Sequence, residues 1–221
     1  MKKSISVCLA LTMLAAMTVM MIPTASAAWD GSSVSAGLVG SGTEFDPYLI
    51  SSENDLAFVA KQVNDAVTTY AGEYLKLTVD LDLGNKLWAP IGQLKANYFS
   101  GHFDGDGHVV YGLYNVNTSK LGGLIPVCKA ATVKNLGLSD SVIVAKGAGY
   151  AGGIIGFIND ATVLAENCFV EKTTIASGNG FDGAIVGYTI NATNLTVKNC
   201  YANIGKTLVD YVHKSTTVTM S

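Results

Sequence analysis

The sequence predicts an all-β stacked solenoid, and three observations carry that class. The same residues return every thirty-two positions: Asn135, Asn167 and Asn199, followed by Leu136, Cys168 and Cys200, with Thr-Val-Lys-Asn spelled identically at 132–135 and 196–199. A second landmark keeps step with the first: Gly122-Gly123-Leu124-Ile125, then Gly152-Gly153-Ile154-Ile155-Gly156, then Gly183-Ala184-Ile185-Val186-Gly187. Within the middle unit three short apolar runs, 153–158, 162–170 and 173–176, are bounded by Gly, Asn, Asp or Ser and read as three strands per unit. A fixed period marks units that cannot close a core alone and must lie on their neighbours. A meander sandwich also gives many short strands, but nothing in it requires identical residues at identical places in each unit.

Stacking accounts for the residue choices. Adjacent coils lie about 4.8 Å apart, so an Asn at one turn position in every coil can bond its amide to the Asn above and below, a ladder of Asn135, Asn167 and Asn199. Beside it Leu113, Leu136, Cys168 and Cys200 are expected as an inward column. The glycines serve the other corner, where a Cβ would clash.

Ahead of the repeats the pattern changes. Ser52 with Asp55 three residues later opens a capping-box-like start, and Leu56, Val59, Ala60, Val63 and Val67 follow at helical spacing, predicting one amphipathic helix over 52–66. A helix laid across the open end of a solenoid covers its apolar cross-section and unpaired backbone, so this is the expected N-terminal cap. The period then switches to two: Leu75, Leu77, Val79, Leu81 and Leu83 alternate with Lys76, Thr78, Asp80 and Asp82, predicting one strand with a buried face. Trp88 to Gly92 turn out of it, and 99–108 lead into a first full coil at 109–116.

The N-terminus places the protein outside the cytoplasm. Lys2 and Lys3 precede an apolar run from Ile5 to Ile22 that closes on Pro23 and Ala25-Ser26-Ala27, the form of a secretory signal peptide cleaved after Ala27. No later apolar run reaches membrane-spanning length, so no span is expected after cleavage. The expected division is a leader at 1–27, a lead-in segment with the capping helix at 28–73, and coils at 74–221, with 28–221 forming one domain of about four coils.

Charge excludes some functions. All fourteen basic residues are lysine, and loss of Lys2 and Lys3 leaves twelve against seventeen acidic residues, a net charge near −5. An acidic chain without arginine argues against nucleic-acid partners, which draw on basic patches and bidentate Arg contacts. Cys128, Cys168 and Cys200 remain after cleavage, an odd count, and are expected as buried free thiols, with Cys168 and Cys200 one coil apart.

Candidate chemistry is sparse. Asp80 and Asp82 share a strand face as solvated surface, and Asp104-Gly105-Asp106-Gly107 has turn chemistry, with Ca²⁺ at Asp104 and Asp106 as the weaker alternative. His102 and His108 flank that turn with no serine or cysteine partner at a recognisable spacing. Tyr98, Tyr111 and Tyr114, with Trp88, are the aromatic residues that a sugar ring would stack on.

The segment Gly42-Thr43-Glu44-Phe45-Asp46-Pro47-Tyr48-Leu49-Ile50, the helix, the alternating run, Trp88 to Gly92, 99–107 and the glycine-aliphatic units together resemble the secreted bacterial proteins that carry GLUG motifs. The likeness covers about 38–205 and departs at Pro126, where the first unit lacks its closing glycine. It implies a right-handed parallel β-helix on an exported or surface-attached protein, in a family that includes adhesin-like proteins and segments of IgA-cleaving metallopeptidases. The chain has no His-Glu-x-x-His, so that peptidase activity does not carry over. The expectation is therefore a secreted or cell-surface, non-catalytic protein without catalytic residues or cofactor, which binds glycan or a host or extracellular protein. A stalk segment of a larger surface protein is the alternative, and a polysaccharide-degrading β-helix enzyme is the second.

Overall fold

The computed structural model describes residues 28–93, 96–117, 120–147, 149–159, 161–191, 194–212 and 217–221, so the leader expected at 1–27 lies outside the described residues. Among the described residues twenty-two short strands and one helix build a parallel β-solenoid. Its first wall is a seven-stranded parallel sheet of Tyr48–Ile50, Tyr74–Leu77, His102–Asp104, Thr132–Lys134, Thr162–Glu166, Asn194–Lys198 and Thr217–Met220. Four more walls follow around the coil. They begin with Leu81–Asp82, Tyr114–Asn117, Leu121–Gly122 and Ile125–Cys128, and each continues as a parallel sheet through the later coils.

The coil is thus five-sided rather than three-stranded, and the chain makes about five turns where four were expected. Two corners that the alternation and the apolar runs conceal explain the difference. The run from Leu75 to Leu83 is broken into Tyr74–Leu77 and Leu81–Asp82, and the corner between them turns Val79 outward while the four leucines stay buried. The glycine units mark the other corner. A Cβ on Gly152 would lie 2.0 Å from the carbonyl oxygen of Ile155, and one on Gly183 equally 2.0 Å from that of Val186, so the chain folds back on itself there only where no side chain intervenes. Pro126 occupies the place of Gly156 in the coil before, buried within Ile125–Cys128.

Inward residues of successive coils form the core, whose main cluster runs from Trp29 through Leu75, Phe103, Val133, Val163 and Val197 to Val209. Leu113 does not belong to the column of Leu136 and Cys168. Its N–H bonds to Ser141 Oγ, and Ser141 begins the next wall (3.0 Å).

The helix, Glu53–Asn64, closes the first end as expected of a cap. The Ser52 side chain accepts from the N–H of Asp55, and Leu56, Ala57, Val59, Ala60 and Val63 join the solenoid core. Buried Glu53 accepts the N–H of Asp82 (2.9 Å) at one end, and at the other Asn64 bonds Pro90, Gly92 and Gln93 (2.9 to 3.1 Å). The helix stops short of Val67, which is 67% exposed.

Candidate binding groove

The asparagine ladder is present and has a foot. Asn135 Nδ2 donates to Asp104 Oδ1 (2.9 Å), Asn167 to Asn135 (2.9 Å) and Asn199 to Asn167 (3.2 Å). It runs on the surface, with Asn167 and Asn199 exposed. All three residues sit at φ of 51 to 53°, the left-handed region in which Asn is among the few tolerated side chains, so the turn conformation selects the residue together with the amide stack.

Asp104 and Asp106 are both engaged by lysine. Asp104 Oδ2 pairs with Lys134 (3.1 Å), and Asp106 Oδ2 with Lys76 (3.0 Å). Partial burial opposes ionisation of Asp104, but bonds from Asn135, the Asp106 N–H and Lys134 outweigh it and hold the carboxyl below its usual range. Asp80 binds His108 Nδ1 and the Val109 N–H (both 3.0 Å), while Asp82 accepts from Gly84 (2.8 Å) at the corner, so the two acids serve different turns.

The three tyrosines do not form one surface. Tyr98 lies beside Val127 and Phe157 at the fifth wall, under the ammonium of Lys129 (4.4 Å to the ring centre). Tyr111 and Tyr114 flank the corner between the second and third walls, in register with Ser139 and Val142. Trp88 is 1% exposed and belongs to the core, edge-on to Trp29 (5.0 Å).

What the sequence reading missed is a groove on the outer face of the first wall. Along the solenoid axis that face carries Lys76, Asp104, Lys134, Glu166 and Lys198 in direct register, charges alternating strand by strand. Glu166 pairs with Lys198 (2.5 Å). Each exposed pair contributes about 0–1 kcal/mol, yet a one-coil shift would set like charges opposite, so the ladder fixes neighbour order. Beside it Tyr74 and His102 stack (4.3 Å, 21° between planes).

The turn Ser41–Pro47 overhangs this wall. Asp46 and Thr43 exchange backbone bonds (3.2 Å), Ser41 donates to Asp46 (3.1 Å), and Tyr74 N–H bonds Gly42 (2.9 Å), which ties the turn to the sheet. Gly40, at φ 108°, lies so close to Pro47 that a Cβ would stand 2.1 Å from its carbonyl oxygen. On this tightly bonded turn Phe45 is 97% exposed. Glu44, Phe45 and Pro47 enclose, with Tyr74, His102, Thr132, Lys134 and Leu164, a groove of about 530 Å³, within the range of ligand sites.

A second aromatic feature, built on a smaller buried cluster of Leu121, Val127 and Phe157, lies on the fourth and fifth walls. Phe157, Tyr188 and Tyr211 are in register on three coils, with Tyr150 and Phe181 alongside. Tyr188 and Tyr211 stack at 4.8 Å and 2°, Tyr150 and Tyr188 at 4.1 Å. Phe157 is buried, and the tyrosine rings stacked on from it along the axis cover one another's faces and turn their edges outward, which suits a spine better than a sugar platform. The signal was in the sequence: Phe157 and Tyr188 have the same separation as Ile155 and Val186.

Cys128 and Cys168 are buried, but Cys200 is only partly so, a departure from the expectation of three buried thiols. The hydrogen bond from the Cys168 thiol outweighs partial burial and holds the Cys200 thiol down at about 7, while burial pushes Cys128 well up.

No family model matches the chain. Over 119 residues, 53% of the chain, it is 35% identical to a protein of Evansella cellulosilytica described as "Putative Gly-rich membrane protein", and it spans 13% of that protein's length. Its fold is similar to the crystal structure described as "a putative immunoglobulin A1 protease from Bacteroides ovatus", with a TM-score of 0.55 over 82% of this chain and 66% of that one. At 15% identity that likeness establishes the shared solenoid fold. Among the described residues no helix is long and apolar enough to cross a membrane.

Proposed function

We propose that this protein is an exported, non-catalytic solenoid of the bacterial surface or its surroundings, allied to the GLUG-motif proteins, that binds a ligand in the first-wall groove. The observation that carries this reading is Phe45. A large aromatic side chain 97% exposed on a turn held by its own backbone bonds and by the Tyr74 N–H forgoes burial that Phe ordinarily gains, and it overhangs a groove. Such a pre-positioned ring lowers the ordering cost of binding. In support of a non-catalytic role, two of the three groove carboxylates among the described residues, Asp104 and Glu166, are tied to Lys134 and Lys198, which leaves Glu44 on the overhanging turn without a second free carboxylate to form an acid and base pair. The leader sequence supports export.

The test is a glycan and extracellular-protein array with the mature chain and Phe45→Ala. Phe45-dependent capture without cleavage of the captured molecule is the expected result. A blank array, or capture indifferent to Phe45, defeats the groove reading and favours a stalk role. Release of product would overturn the non-catalytic reading.

A further inference from the structure

On the reading that the groove is the binding site, we infer that its ligand is an uncharged polysaccharide lying along the solenoid axis. Three features of the groove select that class. First, its cations are already compensated: Lys76 by Asp106 and Lys134 by Asp104, with Lys198 at its end held by Glu166. A polyanion would meet no free positive field, and the net negative charge of the chain repels it; a polycation would find Glu44 alone unpaired among the described groove acids and would have to displace the lysines one by one from the others.

Second, pairing leaves hydrogen-bonding capacity unused. An ammonium has three donors and a carboxylate about four acceptor positions, so the one ion pair that each lysine and Glu166 makes saturates none of them, and Asp104, which accepts from Asn135, the Asp106 N–H and Lys134, keeps about one position. Read along the axis, Lys76, Asp104, Lys134, Glu166 and Lys198 therefore offer donor, acceptor, donor, acceptor, donor at steps of about 4.8 Å. Hydroxyl groups both donate and accept, and a chain bearing them at every repeat matches this alternation. Peptide side chains of fixed charge do not.

Third, one aromatic face is free for ring C–H groups: the exposed ring of Phe45 stands off from the wall, while Tyr74 and His102, stacked on one another, line the groove with their edges. The lining reaches from Tyr74 across His102 and Thr132 to Leu164, four strands and so roughly 14 Å along the axis, a length for a run of sugars rather than one.

The experiment measures binding of the mature chain to soluble mixed-linkage β-glucan, mannan and polygalacturonate at about 50 and 500 mM NaCl, salt strengths that bracket strong and weak screening. The expected result is binding of a neutral polymer with Kd the same within about twofold at both strengths, weakened at least about tenfold by Phe45→Ala and several-fold by Lys134→Gln. Both side chains are surface groups, and an unchanged melting temperature confirms that each variant is folded. Phe45-dependent binding of polygalacturonate alone, or of a protein ligand from the array, would overturn the ligand class and leave the groove standing. Neutral-polymer binding that collapses in high salt would do the same. Absence of Phe45-dependent binding to any of these would overturn groove and ligand class together.

Discussion

The first and last coils of this solenoid are built from the same positions and differ in what lies beyond them. Around the first, Leu75, Phe99, Phe103 and the helix residues Leu56 and Val59 are fully enclosed, because the helix supplies on one side what the next coil supplies on the other. Around the last, Cys200, Ile204, Leu208 and Val218 are only partly covered, and Tyr201 and Met220 are 58% and 56% exposed. In a stacked repeat, stability is close to a sum of neighbour interfaces. The contrast teaches that an inward position in this molecule has no fixed energetic value; its worth depends on having neighbours on both faces.

The sharpest way to break that comparison is to shorten one side chain at each end. Leu56→Ala removes a fully buried side chain from the cap and is expected to cost about 2–5 kcal/mol by cavity formation. Val218→Ala, inward on the last strand but half-covered, is expected to cost less than about 1 kcal/mol. Denaturant unfolding of the two variants against the mature chain measures both. Equal losses would mean that the last coil is as tightly enclosed as the first.

The end that the helix covers was legible in the sequence, because Ser52, Asp55 and the spacing from Leu56 to Val63 are local signals that the fold leaves unchanged. The repeat was legible too, since a left-handed Asn turn in each coil writes itself at a constant period. The five-sided coil was not. Alternation from Leu75 to Leu83 continues in phase through a corner, and strands as short as Leu121–Gly122 are too brief for periodicity to separate. The groove was hidden for a different reason. Lys76, Asp104, Lys134, Glu166 and Lys198 become neighbours only once the register is known, and nothing in the local sequence around Phe45 distinguishes an exposed ring from a buried one.

The ladder carries the same comparison to the surface at smaller amplitude. Asn167 has a rung on each side, while Asn199 donates to Asn167 as the last rung among the described residues. Replacement by Gly keeps the φ near 50° permissible and removes only the amide, whereas Ala removes the amide and strains the backbone. Asn167→Gly is expected to cost about 0.5–1.5 kcal/mol, Asn167→Ala more, and Asn199→Gly less than Asn167→Gly. Thermal melts in parallel decide it. If Asn167→Gly matches the native chain while Asn167→Ala does not, the asparagines serve the turn and the amide stack adds nothing.

The thiols give the comparison its mildest and most local reading, since it leaves stability nearly untouched. Cys128 is enclosed by coils on both sides and its thiol is pushed up, whereas Cys200 in the last coil is part-exposed and held down at about 7 by the Cys168 thiol. The thiolate is the reactive form, so native Cys200 should label with iodoacetamide about fivefold faster at pH 7 than at pH 6, levelling above pH 8, while Cys128 and Cys168 label only after denaturation. The sign for stability runs the same way: the lowered folded value of Cys200 favours the native state as pH rises from 7 towards 9, the ordinary thiol value, and the raised value of Cys168 disfavours it only as pH climbs above 9. Cys168→Ala tests the cause, because removing the donor should return the Cys200 labelling midpoint towards 9. A midpoint unmoved by that change would show that Cys200 reactivity comes from exposure at the last coil alone, and labelling of Cys128 at the same rate as Cys200 would erase the distinction between the two coils.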